Sequence, residues 1–386
     1  MKLTNLVLFT FLLSILIACQ SNAQNKQSSS SSDETIKGEW IAKVRKNDRL
    51  WLQMTIQRDR DEARNYGNWN SSTSYNISEF SGLQFGKQHT FKLIRDAGTI
   101  SFQGSFIGKA GAGDFVFQPN NEFRRFLQKE GFDNISNKKL LSMTLFKVTR
   151  QFVTGVKKRG YTDFSTNKLV AMRIHGVTLD FIDQVHNMGF KDIRLSKLIA
   201  FKIHGVTPRF IKEMRQVAGN KLTTSKLISF RIHGVSPDYV KAARDQFGDD
   251  LSLSKVTGFK IHGVTKEFMA EMKKLGYNNL SASQLTSFKI HGVTPEFVRA
   301  FQDLGYKDLR ASRLTSFKIH GVSTSFVRGL DKLGYKNVSP SRLISCRIHG
   351  VTLDFVRRMN KKTSKKLSLS RLVSYRIHGF DRDSDD

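Results

Sequence analysis

The stretch "SFKIHGVTPEF", residues 287–297, sets the pattern of most of this chain of 386 residues. Its Ile-His-Gly core recurs at a constant interval of 29 residues, so that eight histidines share one register. These histidines are His175, His204, His233, His262, His291, His320, His349 and His378. A fixed period of this length indicates a stack of similar supersecondary units.

Each unit carries the signals of two short helices, and positions within it are counted from its histidine as position 0. In the unit of His291, Thr294 and Pro295 suit the N-cap and first turn of a helix. Apolar residues recur over 297–304 at the spacing of one helical stripe, and Gly305 suits a left-handed C-terminal cap. A second helix then ends at the next Ile-His-Gly. One such pair cannot cover its own apolar stripe, so the units must stack.

The period also extends backwards, to two units in which Phe123 and Phe152 keep the aromatic position but the His-Gly pair is absent. We therefore predict an all-α solenoid of nine helix-pair repeats over residues 119–380. Residues 36–118 contain strand-like runs broken by Gly-rich and Asp-Ala-Gly turns, which predict a small antiparallel β domain. The expected fold class is mixed, with the β domain preceding the solenoid.

The beginning of the chain predicts a lipoprotein signal peptide over residues 1–18. A lysine precedes the thirteen-residue apolar run "LVLFTFLLSILIA", which is too short to span a bilayer. The quartet "LIAC" that ends at Cys19 resembles the lipobox of bacterial lipoproteins, and this resemblance implies a lipid on Cys19 and a place in the cell envelope. Gln20 differs from the Asp that often retains lipoproteins at the inner membrane, so the outer membrane is expected. Residues 19–35 are polar and Ser-rich, as in a flexible linker.

The chain is strongly basic, with 63 Lys and Arg against 33 Asp and Glu and a net charge of +30. Residues 119–386 hold +26 of this charge, although residues 381–386 form an acidic tail. Such a balance predicts an anionic partner, such as an acidic protein, an envelope polymer or a nucleic acid.

Position −2 is basic in all eight histidine units, and we predict that these side chains contact the anion or partner. They are Arg173, Lys202, Arg231, Lys260, Lys289, Lys318, Arg347 and Arg376. A cation near the C-terminus of a helix also interacts favourably with the helix dipole, so a structural role stays open.

The repeated histidines are predicted to be structural, with contact to a partner as the alternative. Zinc needs several ligands around one ion, whereas equivalent residues of stacked helices lie about 8–10 Å apart. Eight identical copies also do not form an asymmetric set of acid, base and nucleophile. We expect each ring to donate an N–H to a carbonyl left unpaired at the helix end. No catalytic residue, metal, cofactor or small-molecule substrate is predicted.

The repeats "RIHGVSPDYV", "KIHGVTPEFV" and "RIHGVTLDFV" resemble the R-I-H-G-V-T-P-E-F repeats of uncharacterised bacterial envelope proteins. Similar repeats occur in C-terminal regions of membrane metallopeptidases of the beta-lactam-sensor antirepressor type. The protease part with its H-E-x-x-H motif is absent here, so the resemblance implies no proteolysis. We predict a lipid-anchored, non-enzymatic envelope scaffold that binds a protein or an anionic envelope polymer. An accessory sensor of a membrane protease or regulatory system is an alternative.

A second resemblance is to helix-hairpin-helix DNA-binding modules, in which the turn offers backbone N–H groups to phosphates. "KIHGVTPEF" fits that outline, and the positive charge would favour phosphate contacts. The usual second glycine of the turn is Thr or Ser here, and the lipobox implies separation from chromosomal DNA. A nucleic-acid binder is therefore only an alternative, and nucleic acid is not the expected partner.

Overall fold

The structure is a computed structural model that describes residues 35–56, 69–219 and 222–380. The signal peptide, Cys19, nearly all of the linker and the acidic tail lie outside the described residues. Within them, a six-stranded antiparallel sheet is followed by eighteen helices, which confirms the predicted β domain and helical repeat region. The chain divides into two compact units, Met1–Arg173 and Ile174–Asp386.

The sheet consists of two three-stranded meanders that are joined where the first strand pairs with the sixth. Its strands are β1 (Ile36–Arg45), β2 (Arg49–Ile56), β3 (Trp69–Asn76), β4 (His89–Arg95), β5 (Gly98–Ile107) and β6 (Ala110–Pro119). Their order across the sheet is β3-β2-β1-β6-β5-β4, and all neighbours are antiparallel. Side chains alternate between a buried and an exposed face, as expected for a sheet with one face on the core.

Aromatic rings fill the buried face of the sheet. Trp40 contacts Phe91 edge-on, with the ring centroids 5.3 Å apart, and Phe91 stacks on Phe102 at 4.8 Å. The Trp40 ring lies against the backbone of Gly104, where a Cβ would come within 2.7 Å of it. Trp40 Nε1 donates to the carbonyl of Asp114 at 3.1 Å, so the only polar atom of this side chain is satisfied.

The first compact unit also contains the first four helices. They are α1 (Asn121–Lys129), α2 (Asn137–Leu145), α3 (Arg150–Lys158) and α4 (Thr166–Ile174), of which α4 reaches the boundary at its last residue. Helix α2 packs against β5 and β6, and the Tyr75 hydroxyl donates to the Leu145 carbonyl at 3.2 Å. The compact unit continues beyond the end of the sheet, and α2 packs on that sheet. The predicted boundary between residues 118 and 119 stays a prediction.

The second compact unit contains seven helix pairs. They are α5 (Leu179–Asn187) and α6 (Leu195–Ile203), α7 (Pro208–Ala218) and α8 (Thr224–Ile232), α9 (Pro237–Phe247) and α10 (Leu253–Ile261), α11 (Lys266–Lys274) and α12 (Ala282–His291), α13 (Pro295–Gln302) and α14 (Ala311–Ile319), α15 (Thr324–Lys332) and α16 (Pro340–Ile348), and α17 (Leu353–Lys362) and α18 (Leu369–Ile377). In this unit, first helices pack on neighbouring first helices and second helices on neighbouring second helices. The unit is therefore built of two helical layers.

Local capping explains why each repeat has the same two helices. The Thr294 hydroxyl accepts the N–H of Phe297 at 3.2 Å, and the equivalent Ser or Thr caps the first helix in all seven pairs of the second unit. The second helix ends at Gly292, whose φ of +70° is left-handed, and the next N–H bonds back to the carbonyl of Phe288 at 2.8 Å. The Gly of every Ile-His-Gly has a φ between +66° and +70°.

The core between the two layers repeats with the sequence. Position −3 is fully buried in six consecutive second helices, and it is aromatic in five of them. These residues are Phe201, Phe230, Phe259, Phe288, Phe317 and Cys346. The valine at position +2, such as Val293, is buried as well. Neighbouring repeats therefore cover one another's apolar stripes.

Candidate partner-binding surface

The basic residues at position −2 lie over aromatic rings of the preceding repeat. In all eight cases the charged group is 4.2–5.2 Å from the centroid of the ring at position +6, which is 21 residues earlier in the chain. The pairs are Arg173 with Phe152, Lys202 with Phe181, Arg231 with Phe210, Lys260 with Tyr239, Lys289 with Phe268, Lys318 with Phe297, Arg347 with Phe326 and Arg376 with Phe355. The column that was predicted to contact a partner thus joins consecutive repeats. Its contact with a partner stays a prediction.

Arginines in this column form a second contact that the lysines lack. Arg347 Nε donates to the Gly321 carbonyl at 3.0 Å, and Arg231 Nε donates to the His204 carbonyl at 3.3 Å. These carbonyls are left unpaired where the preceding second helix ends. No corresponding hydrogen bond of Lys202, Lys260, Lys289 or Lys318 is found within the described ranges. The contacts between repeats at position −2 are therefore of two kinds. A lysine lies over a ring, whereas an arginine lies over a ring and also donates to a helix-end carbonyl.

The repeated histidines do not make the hydrogen bond that we expected. None of the eight rings forms a hydrogen bond with any residue that the structure describes, and arginines of the following repeat contact helix-end carbonyls instead. His233, His262, His291, His349 and His378 are exposed, whereas His175, His204 and His320 are half-buried. Burial lowers the pKa of His175. The expected hydrogen bond from a ring N–H to a helix-end carbonyl is therefore not formed by the described residues. Any other structural role of the rings stays a prediction.

An exposed isoleucine, for which the sequence predicted no role, precedes every repeated histidine. The eight residues are Ile174, Ile203, Ile232, Ile261, Ile290, Ile319, Ile348 and Ile377, and their exposed fractions lie between 46% and 56%. All eight belong to the second compact unit. Position −1 is out of phase with the buried stripe at −6 and −3, because two residues of helix rotate the side chain by about 200°. This position on the helix was the signal from which the exposure of the isoleucines could have been predicted.

Charge is segregated between the two helical layers of the second unit. Residues 174–380 contain 36 Lys and Arg and 15 Asp and Glu, a net charge of +21. No acidic residue lies in any second helix, and all fifteen are in first helices or loops. Second helices have cations at position −2 and, in six of these seven helices, also at position −7. One layer is therefore basic without compensation, and the other is mixed.

The column at position −7 lies along the surface of the second-helix layer. Lys197 Nζ is 3.1 Å from Ser225 Oγ, and Lys226 Nζ is 2.8 Å from Ser254 Oγ, each across to the next second helix. Positions −8, −4 and −1 fall on one stripe of the same helices. We call the exposed surface formed by positions −8, −7, −4, −1 and 0 the second-helix face.

A cleft separates two neighbouring helices of this face. Between α10 and α12 lies a cleft of about 330 Å³ whose lining includes Lys255, Gly258, Ser283, Ser287 and Ile290. A Cβ on Gly258 would meet nothing within 4 Å, so the cleft is open there. A cation, hydroxyl groups and an apolar side chain thus border one concave surface.

Two amides of the turn that follows Ile290 form hydrogen bonds within the protein. The Val293 N–H donates to the Phe288 carbonyl at 2.8 Å, and the Gly292 N–H donates to the Lys289 carbonyl at 3.4 Å. Neither of these two amides is therefore free for a phosphate, and the alternative of a helix-hairpin-helix nucleic-acid binder stays a prediction.

Two further kinds of feature are absent from the described residues. No group of three or more His, Cys, Asp or Glu side chains there is arranged to hold a metal ion. No helix among them has the length and apolar character to cross a membrane. Comparison with models of known protein families and with curated proteins gives no match to this chain.

Proposed function

We propose that this chain is a non-enzymatic scaffold of the cell envelope that binds an anionic partner, a protein or an envelope polymer, through its second-helix face. The observation that carries the proposal is the absence of acidic residues from the second helices, beside a net charge of +21 for residues 174–380. A surface with one sign of charge attracts an oppositely charged partner and repels wrong ones.

The cations at position −7 are the ones that we propose to contact the partner. The position −2 cations already contact rings of the preceding repeat, as Lys289 does with Phe268. Lys255 and Arg313, at position −7, are exposed, and neither forms an ion pair with a described acidic residue. Because a cation recurs at this position in six of the seven second helices, several weak contacts would act together on one elongated partner.

Anchoring by a lipid on Cys19 is the second part of the proposal, and it is supported by the lipobox-like "LIAC" sequence. A lipid would hold the scaffold at the envelope membrane, most suitably the outer membrane, and raise the local concentration of the array beside its partner. The Cys19→Ser variant should leave the membrane fraction of cells, while Cys346→Ser should remain in it. Equal membrane association of both variants would contradict the anchor.

Site-directed photocrosslinking in the native envelope tests the binding face. We would place a photoreactive amino acid at Ser287 and Ser316, on two second helices, and at Lys273 and Arg328, on two first helices; the four side chains are exposed or half-buried. The proposal predicts a discrete adduct from the first two sites and not from the last two. Adducts from first-helix sites alone would overturn the assignment of the face.

A further inference from the structure

We infer that the partner of the second-helix face is an extended acidic polypeptide with an apolar residue at about every third position. This inference rests on the proposed function and adds what the isoleucine row and the helix spacing require of the bound chain. An exposed apolar surface rimmed by polar groups is typical of an interaction site, and here a half-exposed isoleucine recurs at position −1 of every second helix.

The spacing of the row sets the period of the partner. Packed helices lie about 8–10 Å apart, so Ile261 and Ile290, on consecutive second helices, are separated by about that distance across the face. An extended polypeptide advances about 3.1–3.4 Å per residue. One repeat therefore corresponds to about three residues of an extended chain that crosses the helices.

Acidic residues between the apolar ones would face the cations at position −7. Lys255 and Ile261 are six residues apart on α10, which is about 9 Å along the helix axis. The two side chains are also about 120° apart around the helix axis. Lys255 and Ile290 nevertheless both line the cleft between α10 and α12, so the cation row and the isoleucine row border a common surface. A chain that lies between them can direct apolar side chains to one row and carboxylates to the other, and no acidic residue of a second helix opposes it.

The chemistry of the face favours a polypeptide over a polyphosphate or a bilayer. Polyphosphate has no apolar groups to cover the isoleucines. A bilayer would bring hydrocarbon to the cleft between α10 and α12, where the side-chain hydroxyls of Ser283 and Ser287 form no hydrogen bond with any described residue and would lose their water. A polypeptide backbone instead supplies N–H and C=O groups to such hydroxyls.

Fluorescence anisotropy with synthetic ligands and the full chain tests the inference. The probe is a labelled peptide of Leu-Glu-Pro triplets, one for each repeat of the second unit, in which proline favours the extended form. A peptide of the same composition with its leucines clustered tests the period. Polyglutamate, inorganic polyphosphate and vesicles of phosphatidylglycerol serve as the other ligands.

Matched variants distinguish an effect of the isoleucine row on binding from a general effect of exposed apolar side chains. Ile232→Ser/Ile261→Ser/Ile290→Ser removes three members of the row, and Ile94→Ser/Ile107→Ser removes two isoleucines of the β sheet that are 61% and 85% exposed. We expect the triplet peptide to bind the row variant at least about tenfold more weakly and the sheet variant as tightly as the parent chain. Thermal unfolding followed by circular dichroism shows that each variant is folded, and the single variant Ile261→Ser replaces the triple one if it is not.

Each outcome decides the inference. Tighter binding of the triplet peptide than of the clustered one, with loss in the row variant, supports it. Equal binding of polyglutamate and the triplet peptide, unaffected by the row variant, overturns it but leaves the proposed anionic partner intact. Vesicle binding that depends on the row, without peptide binding, overturns it in favour of a membrane surface. Failure of every anionic ligand to bind would reject the proposed function itself.

Discussion

The ammonium nitrogen of Lys318 lies 4.2 Å from the centroid of the Phe297 ring, which belongs to the preceding repeat. The same relationship recurs between a cation at position −2 and a ring at position +6 in all eight histidine units. The stability of a stacked array depends on interfaces between neighbours as well as on each repeat, so this contact is a term in that coupling.

A double-mutant cycle measures the interaction free energy between Lys318 and Phe297. Lys318→Met keeps most of the aliphatic stem and removes the charge, and Phe297→Leu removes the ring. We expect a coupling free energy of about 0.5–1 kcal/mol in urea unfolding, because the pair is partly exposed. Lys307→Met, at an exposed lysine outside the column, should show no coupling with Phe297→Leu. Additive effects for Lys318→Met would mean that the ring and the cation do not interact.

Exchange of lysine and arginine within the column should change stability in opposite directions. Lys318→Arg would add an Nε–H that can reach the helix-end carbonyl, as Arg347 does with Gly321 at 3.0 Å. We expect a gain of about 0.5–1.5 kcal/mol for Lys318→Arg and a loss of similar size for Arg347→Lys, measured by urea unfolding. The same sign of change in both variants would contradict this account of the joint.

Replacement of the exposed histidines should leave the free energy of unfolding nearly unchanged. His291 and His349 are exposed, and their rings form no hydrogen bond within the ranges that the structure describes. We expect His291→Asn and His349→Asn to change stability by less than about 0.5 kcal/mol, measured by urea unfolding. Thr294→Ala, which removes a helix cap, should cost about 1 kcal/mol and serves as the positive control. A larger loss of stability in the histidine variants would contradict this expectation and support the predicted structural role of the histidines.

The thiol of Cys346 should be protected from alkylation in the folded chain. Cys346 is buried, and burial raises its pKa from 9.0 to about 11. The folded state therefore favours the neutral thiol, and this contribution to stability is complete below pH 9 and lost as the pH rises towards 11. In a Cys19→Ser variant, where Cys346 is the only cysteine, iodoacetamide at pH 8 should label it only after unfolding. Rapid labelling of the folded variant would contradict the buried position.

Features set by neighbouring residues in the sequence were predicted well. The caps at Thr294 and its equivalents, the left-handed glycine at Gly292 and the alternation of strands and helices depend on short-range geometry and on hydrophobic periodicity. The 29-residue period then predicted the same two helices in each unit. The β domain also followed from its strand and turn signals, although not the packing of α2 on the sheet.

Contacts between repeats were not predicted, because their partners are 21 residues apart and the angle between stacked units is not encoded locally. The cation column at position −2 was predicted to contact a partner, with a structural role left open, and its charges lie on rings such as Phe297. Contact with a partner stays a prediction. The histidine ring was assigned the helix-end carbonyl that an arginine contacts, as with Arg347 and Gly321. The sequence shows a cation at position −2 of every histidine unit and an aromatic residue 21 residues before it. The joint recurrence of these two residues was the signal for a contact between repeats.

The dependence of binding on the second-helix cations tests the central claim most directly. Lys226→Gln/Lys255→Gln/Arg313→Gln removes three charges from second helices, where Gln284 already occupies the same position in one repeat. Lys212→Gln/Lys273→Gln/Arg328→Gln removes three from first helices and gives the same net charge.

Affinity for the Leu-Glu-Pro peptide is then measured by anisotropy titration over a range of salt concentrations. We predict that the second-helix variant binds at least about tenfold more weakly and with a shallower salt dependence, while the first-helix variant stays close to the parent chain. Equal weakening of both variants would show that binding follows net charge alone, and would contradict a binding face on the second helices.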